Sequence, residues 1–375
     1  MAAKLHDRAR VLVSGYYGFN NAGDEAILYA LVQALRRRRT NLELTVLSAM
    51  PEATAQTYGV HSIPRRQLPV VLREMRRTDL FIMGGGGLLQ DTTSLASLQY
   101  YLGLVAMADA CGRKVFFYGQ GIGPIRTGVG RRMTRTLVNR VAAITVRDEE
   151  SRRELAEIGV RRPRITVTAD PVLGIEPEPA WMEQGRFVLD EMGLAGAPVA
   201  GISMRPWPSA PEYVHAVAAA GDRLAGEGWR VLFLPFHHPG DLEVCRETAA
   251  LMRAPATVLE KPCDFSELIG ICTHLDLAIG MRLHFLVFAV LAGVPLVGLP
   301  YDPKVSRFLG RLGLDPGLPG VITPEDIAGR LAYVFEHRAA VQATMQERLI
   351  HLRRAALATA DLAVATLDRQ LGSCI

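Results

Sequence analysis

Val11-Leu-Val-Ser-Gly-Tyr-Tyr-Gly-Phe-Asn-Asn-Ala-Gly-Asp24 carries a short apolar run into a glycine-marked turn, and a helical tract near Gly23–Arg39 follows it. A short apolar run bounded by turn residues reads as a buried strand, and strand, turn and helix in succession are the parts of a parallel sheet. The same unit recurs along the chain. Strand candidates at Val11–Ser14, Leu42–Leu47, Leu80–Met83, Val115–Tyr118, Ala143–Val146 and Ile165–Thr168 form a first series. Val199–Ser203, Arg230–Leu234, Thr257–Leu259, Leu275–Ile279 and Leu296–Leu299 form a second. Amphipathic stretches lie between most of them. This alternation predicts an α/β protein with two Rossmann-like, doubly wound domains, each a parallel sheet covered by helices on both faces.

The division falls at Gly174-Ile-Glu-Pro-Glu-Pro-Ala180, a proline-rich acidic hinge, with a helical piece near Trp181–Met192 behind it. The expected plan is a first domain over 1–175, a linker over 176–197, a second domain over 198–345 and a C-terminal helical tract over 346–375. A helical stretch from about Glu325 to Leu371 closes the chain, opened by a Thr323 cap and a proline at the first helical position.

The 375 residues are 49% hydrophobic and 21% charged, the composition of a folded protein and not of a disordered or fibrous one. No window of 18 residues is purely apolar, so no spanning helix is expected. The N-terminus lacks the long apolar stretch of a secretory signal. Cys111, Cys245, Cys263, Cys272 and Cys374 are scattered without a CxxC pair, and read as reduced, packed thiols in a cytoplasmic protein. The net charge of +4 conceals an asymmetry. Residues 1–172 hold 25 Lys and Arg against 15 Asp and Glu, and residues 173–375 hold 17 against 23. A basic first half suggests an anionic partner: a phosphorylated substrate or a membrane surface. Its basic residues are dispersed and lack an aromatic recognition motif, which argues against nucleic acid.

In open α/β sheets ligands sit beyond the carboxyl ends of the strands, and the unusual residues of this chain fall there in strand after strand. In the first series, Asn21 is placed to cap the helix that follows, and Asp24 or Glu25 in its first turn is placed to accept a proton from a sugar hydroxyl. The spacing is not GxGxxG, so this is no dinucleotide fingerprint. Gly84–Gly87 precedes a helical stretch. Its glycines, Gly85 and Gly86 among them, free backbone N–H groups to approach an anion at a helix N-terminus, with Asp91 behind. Gly119-Gln-Gly-Ile-Gly-Pro124 reads the same way. Arg147 ends a strand, poised to fork onto a carboxylate or phosphate, or to pair with the acids behind it.

In the second series, Arg205 offers another anion clamp, and Trp207 a stacking face. His237 and His238 are adjacent, share no helix face and have no third ligand at metal spacing, so no metal site is expected. Gly280-Met-Arg-Leu-His284 opens a nearly all-apolar helix that carries Arg282 and His284 at its start, and Lys304 follows the next strand.

Taken together, Gly18–Glu25, Gly84–Gly87, Gly119–Pro124, Val146–Asp148, Ala169-Asp-Pro171 and Gly280–His284 resemble the motifs of the polysaccharide pyruvyl transferases. The chain looks most like the bacterial CsaB type, which acts on cell-wall polysaccharides that anchor S-layer proteins. The resemblance spans about residues 11 to 305. It implies a GT-B-like fold with the two domains facing a cleft, phosphoenolpyruvate as donor, and an N-acetylmannosamine-type acceptor that receives a 4,6-ketal. That acceptor is implied to be a lipid-diphosphate-linked saccharide at the cytoplasmic face. The family's donor-binding Arg, His and Lys fall on Arg147, His284 and Lys304, and no cofactor or metal is implied. The donor carries a carboxylate and a phosphate, so further cations, Arg205 and Arg282, suit it. His284 suits a general acid, and Asp24, then Asp170, a base for the hydroxyl. The donor side is assigned to the second domain and the acceptor side to the first. Arginines such as Arg36–Arg39 and Arg126–Arg140 would hold the lipid diphosphate or the anionic leaflet, allowing peripheral membrane association. Two other readings share the fold: a glycosyltransferase using a nucleotide sugar, and a non-catalytic wall-polymer-binding protein. No oligomeric state is assigned.

Overall fold

The computed structural model describes residues 8–92, 94–317, 320 and 322–372. Cys374 and the opening residues 1–7 lie outside them. The chain divides into two compact units. One holds residues up to Phe19, Asp24–Gly174 and the stretch from Leu352; the other holds Asn20–Gly23 and Ile175–His351.

In the first unit the elements run β1 (Ala9–Ser14), α1 (Ala22–Arg38), β2 (Leu42–Ser48), α2 (Pro51–Tyr58), β3 (His61–Pro64), α3 (Leu68–Arg77), β4 (Leu80–Met83), β5 (Gly86–Leu89), α4 (Leu95–Ala110), β6 (Lys114–Ile122), α5 (Gly128–Val138), β7 (Ala143–Val146), α6 (Glu149–Ile158) and β8 (Arg164–Val167). The eight strands form one sheet in the order β3-β2-β1-β4-β6-β7-β8, with β5 paired to β6. All pairs are parallel, which is why the central strands are apolar throughout: both faces are covered. Phe81 and Phe117 are fully buried in the core, and each such side chain stabilises the fold by roughly 1.5–3 kcal/mol.

The second unit contains α7 (Pro179–Glu191), β9 (Val199–Ser203), α8 (Tyr213–Gly226), β10 (Arg230–Phe233), α9 (Leu242–Leu251), β11 (Thr257–Val258), α10 (Phe265–Cys272), β12 (Leu277–Gly280), α11 (Leu283–Leu291), β13 (Leu296–Gly298), α12 (Pro303–Arg311) and α13 (Pro324–Glu336). The last helix, α14 (Arg338–Gly372), begins here and ends in the first unit. Its five parallel strands are ordered β11-β10-β9-β12-β13. In each sheet the strand order reverses beside the first strand, between β1 and β4 and between β9 and β12, and such switch points are where doubly wound sheets bind ligands.

The helical piece expected near Trp181–Met192 is α7, which packs along α10, where Gly185 and Gly270 bring the two backbones together and Trp181 meets Phe265 edge-on. Several expectations need correction. The closing tract is two helices, α13 and α14, that break at His337. Gly84–Gly87 does not open a helix. Gly86–Leu89 pairs with β6 as a short strand, and the next helix starts at Leu95 under a Ser94 cap. The strands β3 and β5 were not expected.

Candidate functional site

In the first unit the β1–α1 turn and the glycine run face each other across the switch point. A Cβ at Gly84 would stand 2.1 Å from Tyr17 Oη, and one at Gly86 would stand 3.0 Å from Asp24 Oδ1. Gly86 also holds φ at +96°, a region that favours glycine. The glycines therefore make room for Tyr17 and Asp24, and present no anion-binding helix end. Gln120 Nε2 donates to the carbonyls of Met83 and Gly84 and fixes the run from beneath. Tyr17 is fully buried, and its hydroxyl has no hydrogen-bond partner among the described residues. Burial, with Asp24 and Glu25 nearby, pushes its phenol well above the ordinary range.

The neighbouring candidates differ in what they do. Asn21 Oδ1 accepts from Gly23 N at 3.1 Å and caps α1 as expected. Asp91 does not line a phosphate loop. Its carboxylate accepts from Arg126 N and Thr127 N, both at 2.8 Å, and from Thr127 Oγ1 at 2.6 Å, so it fastens the start of α5. Arg147 is largely buried, with Nη1 3.2 Å from Asp170 Oδ2 and Nε 3.7 Å from Asp148 Oδ2. A Cβ at Gly121 would stand 2.7 Å from this guanidinium, so the second glycine motif clears space for Arg147. Asp170, only 4% exposed, also accepts from Val172 N. It serves as a counter-charge, which argues against it as a base.

In the second unit, Arg205 follows β9, Arg282 and His284 follow β12, and Tyr301 and Lys304 follow β13: three adjacent strand ends at the switch point. Arg205 Nη1 donates to Tyr301 Oη at 2.8 Å, and its guanidinium lies 4.9 Å from the Tyr301 ring centroid. Lys304 Nζ lies 5.4 Å from the same centroid. Burial would push the Tyr301 phenol up, but the cations Lys304 and Arg205 outweigh it and hold the phenol below its ordinary value. Trp207 packs on Tyr213 and Tyr301 as a wall of this cluster. Arg282, by contrast, is engaged. It makes a two-pronged ion pair with Asp241, Nε to Oδ2 at 2.8 Å, and Asp241 is fully buried and also accepts from Phe236 N and His237 N. Arg282 thus braces the turn after β10 and is not open to a donor.

His284 is half-buried in the first turn of α11. Its imidazole lies against the backbone of Gly23, where a Cβ would stand 1.9 Å from Nδ1. That segment is itself tied down: Ala22 N donates to Phe236 O and His238 N to Asn20 O. His237 is half-buried, and burial, then Arg282, pushes its imidazole below the ordinary value. Among the described residues no group of three or more His, Cys, Asp or Glu side chains is arranged to hold a metal ion. Sequence reasoning missed Tyr301 and Asp241. Both stand in strand-end turns, Pro300–Lys304 and Pro235–Asp241, which a rule attending to every polar residue past a strand would include.

A family model described as polysaccharide pyruvyl transferase matches residues 21–303. The chain belongs to that family. Membership makes this pyruvyl transferase a transferase enzyme, and the matched span covers Asp24, both glycine runs, Arg147, Arg205 and His284, stopping one residue before Lys304. The amylovoran biosynthesis protein AmsJ of Erwinia amylovora is 19% identical over 362 residues, covering 81% of this chain and 86% of that protein. Among solved structures, Anabaena HepE in complex with UDP-glucose is 13% identical, covers 96% of this chain and 99% of its own, and superposes with a TM-score of 0.66. A UDP-N-acetylglucosamine 2-epimerase, so described only provisionally, from Listeria monocytogenes is 11% identical over 98% and 97% of the two chains, with a TM-score of 0.67. At such identities the likeness shows the fold, which is that of GT-B-like enzymes.

Proposed function

We propose that this pyruvyl transferase moves the pyruvyl group of phosphoenolpyruvate onto a sugar of a lipid-diphosphate-linked cell-wall polysaccharide precursor. An N-acetylmannosamine-type residue receives the 4,6-ketal, in the manner of polymers that anchor S-layers, and phosphate is released. The observation that carries this reading is the pair of cations, Arg205 and Lys304, gathered on Tyr301 next to the strand end that bears His284. Two cations at one point suit a small donor bearing both a carboxylate and a phosphate.

The chemistry asks for a proton on the enol methylene. His284, at the start of α11 beside those cations, is the candidate to supply it. Protonation makes the methyl and leaves an oxocarbenium-like centre at C2. One sugar hydroxyl adds there, the C2–O bond to phosphate breaks, and the second hydroxyl closes the ketal. Of the two hydroxyl protons released, one replaces the proton given to the methyl and the other leaves with phosphate. Asp24, in the first turn of α1, is the candidate base.

Peripheral association with an anionic leaflet belongs to the same proposal, carried by the exposed Arg37 and by arginines outside the Arg36–Arg39 run. Arg36 donates to the carbonyls of Tyr58 and Gly59, while Arg38 and Arg39 pair with Asp361 and Asp368. Exposed arginines remain at Arg66, Arg73, Arg76 and Arg77 around α3 and at Arg132 and Arg135 on α5. No helix among the described residues is long and apolar enough to cross a membrane.

Incubation with phosphoenolpyruvate and a synthetic lipid-diphosphate disaccharide is the test, read as phosphate release and a pyruvyl mass gain. Lys304→Ala and Arg205→Ala should each weaken donor binding about 10- to 150-fold, the worth of a charge-assisted contact. His284→Gln should bind donor but turn over about 10²- to 10⁴-fold more slowly. Release of UDP from a UDP-sugar, with no phosphate from phosphoenolpyruvate, would overturn the reading.

A further inference from the structure

The first unit holds a guanidinium that the account above leaves unused. Arg65 stands just past β3, and three rings surround it: its Cζ lies 5.0 Å from the centroid of Phe19, 4.5 Å from Tyr100 and 5.5 Å from Tyr101. Phe19 in turn stacks on Tyr16, with centroids 4.1 Å apart and planes 9° from parallel. The hydroxyl of Tyr100 donates to the Arg65 carbonyl at 2.9 Å and anchors the residue by its backbone. The rings come from two elements, the β1–α1 turn and α4, so the fold builds this enclosure deliberately around one side chain.

Its hydrogen bonding is far from saturated. Arg65 reaches Tyr101 Oη at 3.3 Å and Gly15 O at 3.5 Å, both long, also hydrogen-bonds the Tyr100 hydroxyl, and no carboxylate pairs with it among the described residues. A guanidinium has five N–H donors in a fixed fork. Arg147 and Arg282 spend theirs on buried carboxylates. Arg65 is oriented by aromatic faces instead, which fix its position without cancelling its charge. Tyr16, Phe19, Tyr100 and Arg65 are all partly exposed, so the enclosure is open to a ligand.

We propose that this enclosure is where the saccharide acceptor is held, with the Arg65 fork on the phosphate or diphosphate at its reducing end and the Tyr16–Phe19 pair against a sugar ring. Aromatic faces suit the apolar C–H face of a pyranose, and a half-buried fork suits phosphate. Asp24 lies close by: burial raises the Tyr16 phenol, the Asp24 charge raises it further, and Arg65 opposes them. An acceptor anchored at Arg65 therefore has its sugar within reach of the carboxylate assigned as hydroxyl base. Helix α3 begins three residues after Arg65, with Leu68 53% exposed at its start and Arg73, Arg76 and Arg77 exposed along it, a surface suited to the lipid end.

The proposal rests on the pyruvyl-transfer reading only for the word acceptor, so its test is a binding measurement made without phosphoenolpyruvate. The probes are a short-chain lipid-diphosphate disaccharide and the same disaccharide as a neutral methyl glycoside. The wild-type protein should prefer the charged probe about 10- to 150-fold. Arg65→Gln should erase that preference while leaving affinity for the neutral glycoside unchanged. Arg65→Lys, which keeps the charge without the fork, should retain part of it, and guards against a loss that merely reflects misfolding. Phe19→Leu should weaken both probes alike. In each variant phosphoenolpyruvate binding should be unchanged. An undiminished charged-over-neutral preference in Arg65→Gln, or a loss of phosphoenolpyruvate binding in its place, would overturn the assignment. Failure of pyruvyl transfer with these preferences intact would instead count against the donor reading alone.

Discussion

Asp24 and Glu25 are neighbours in sequence with different surroundings. Asp24 reaches toward Gly86, whereas Glu25 turns back to accept from Gly18 N at 2.7 Å and from Tyr58 Oη at 2.6 Å. Glu25 thus holds the β1–α1 turn in shape and is no candidate base. Burial raises its carboxyl above the ordinary range, although the bonds from Tyr58, Gly18 and Phe19 oppose the shift. A raised carboxyl favours the protonated folded state, so the stability it lends is present below the ordinary value, about 4.3, and fades as pH climbs through the raised one. Glu25→Gln should therefore gain on the wild-type protein in melting temperature as pH rises from about 4 to 7. A difference constant over that range would show that Glu25 titrates normally. At this scale the sequence is a partial guide. His284, Arg205 and Lys304 are legible because each polar residue stands directly past an apolar strand. The pairing of Arg147 with Asp170 and of Arg282 with Asp241 is not, since it joins residues 23 and 41 positions apart in the chain.

Elements are legible where apolar runs are bounded by turns, as in β4, β7 and β9, whose limits the pattern predicts to the residue. Two strands escape it for physical reasons. β3 is an edge strand made of His, Ser, Ile and Pro, and edge strands tolerate residues that central ones reject. Half of β5 is glycine, which has no side chain to report a pattern. Misplacing β5 also misplaces the helix after it, and Asp91 then reads as a ligand-loop residue. Its actual duty lies at the start of α5, where desolvation would raise its carboxyl but the hydrogen bonds from Arg126 and Thr127 together outweigh it and hold the carboxyl below the ordinary range. Asp91→Ala should lower the melting temperature at neutral pH by about 2–4 °C, the shift that 1 kcal/mol gives a unit of this size. That deficit should shrink as pH falls through the range where the carboxylate protonates, and donor binding should not change. A donor-binding defect at full stability would restore Asp91 to the ligand loop.

For the whole molecule the two-sheet plan is legible and the path of the chain is not. Nothing in the helical pattern of α14 tells that its later part belongs with the first sheet. There Leu352, Ala356, Ala360, Ala363 and Leu367 are buried, Thr359 Oγ1 donates to Thr168 Oγ1 at 3.0 Å, and Leu357 packs on Gly174. Asp361 and Asp368 take the ion pairs with Arg38 and Arg39. A chain stopped after His351 should show faster hydrogen exchange in α1 and β8, with protection in β9–β13 retained. Equal protection in both chains would mean that the first unit closes without this helix.

The course of α14 has a consequence for how the protein is born. At 5–20 residues per second, a ribosome needs roughly 10–35 s to pass from Gly174 to Leu352. Once its last strand has cleared the exit tunnel and until α14 joins it, the first sheet carries an uncovered apolar stripe and two arginines still awaiting their aspartates. The unit that emerges earlier is completed later, and for those seconds the nascent chain exposes apolar surface that the finished fold buries.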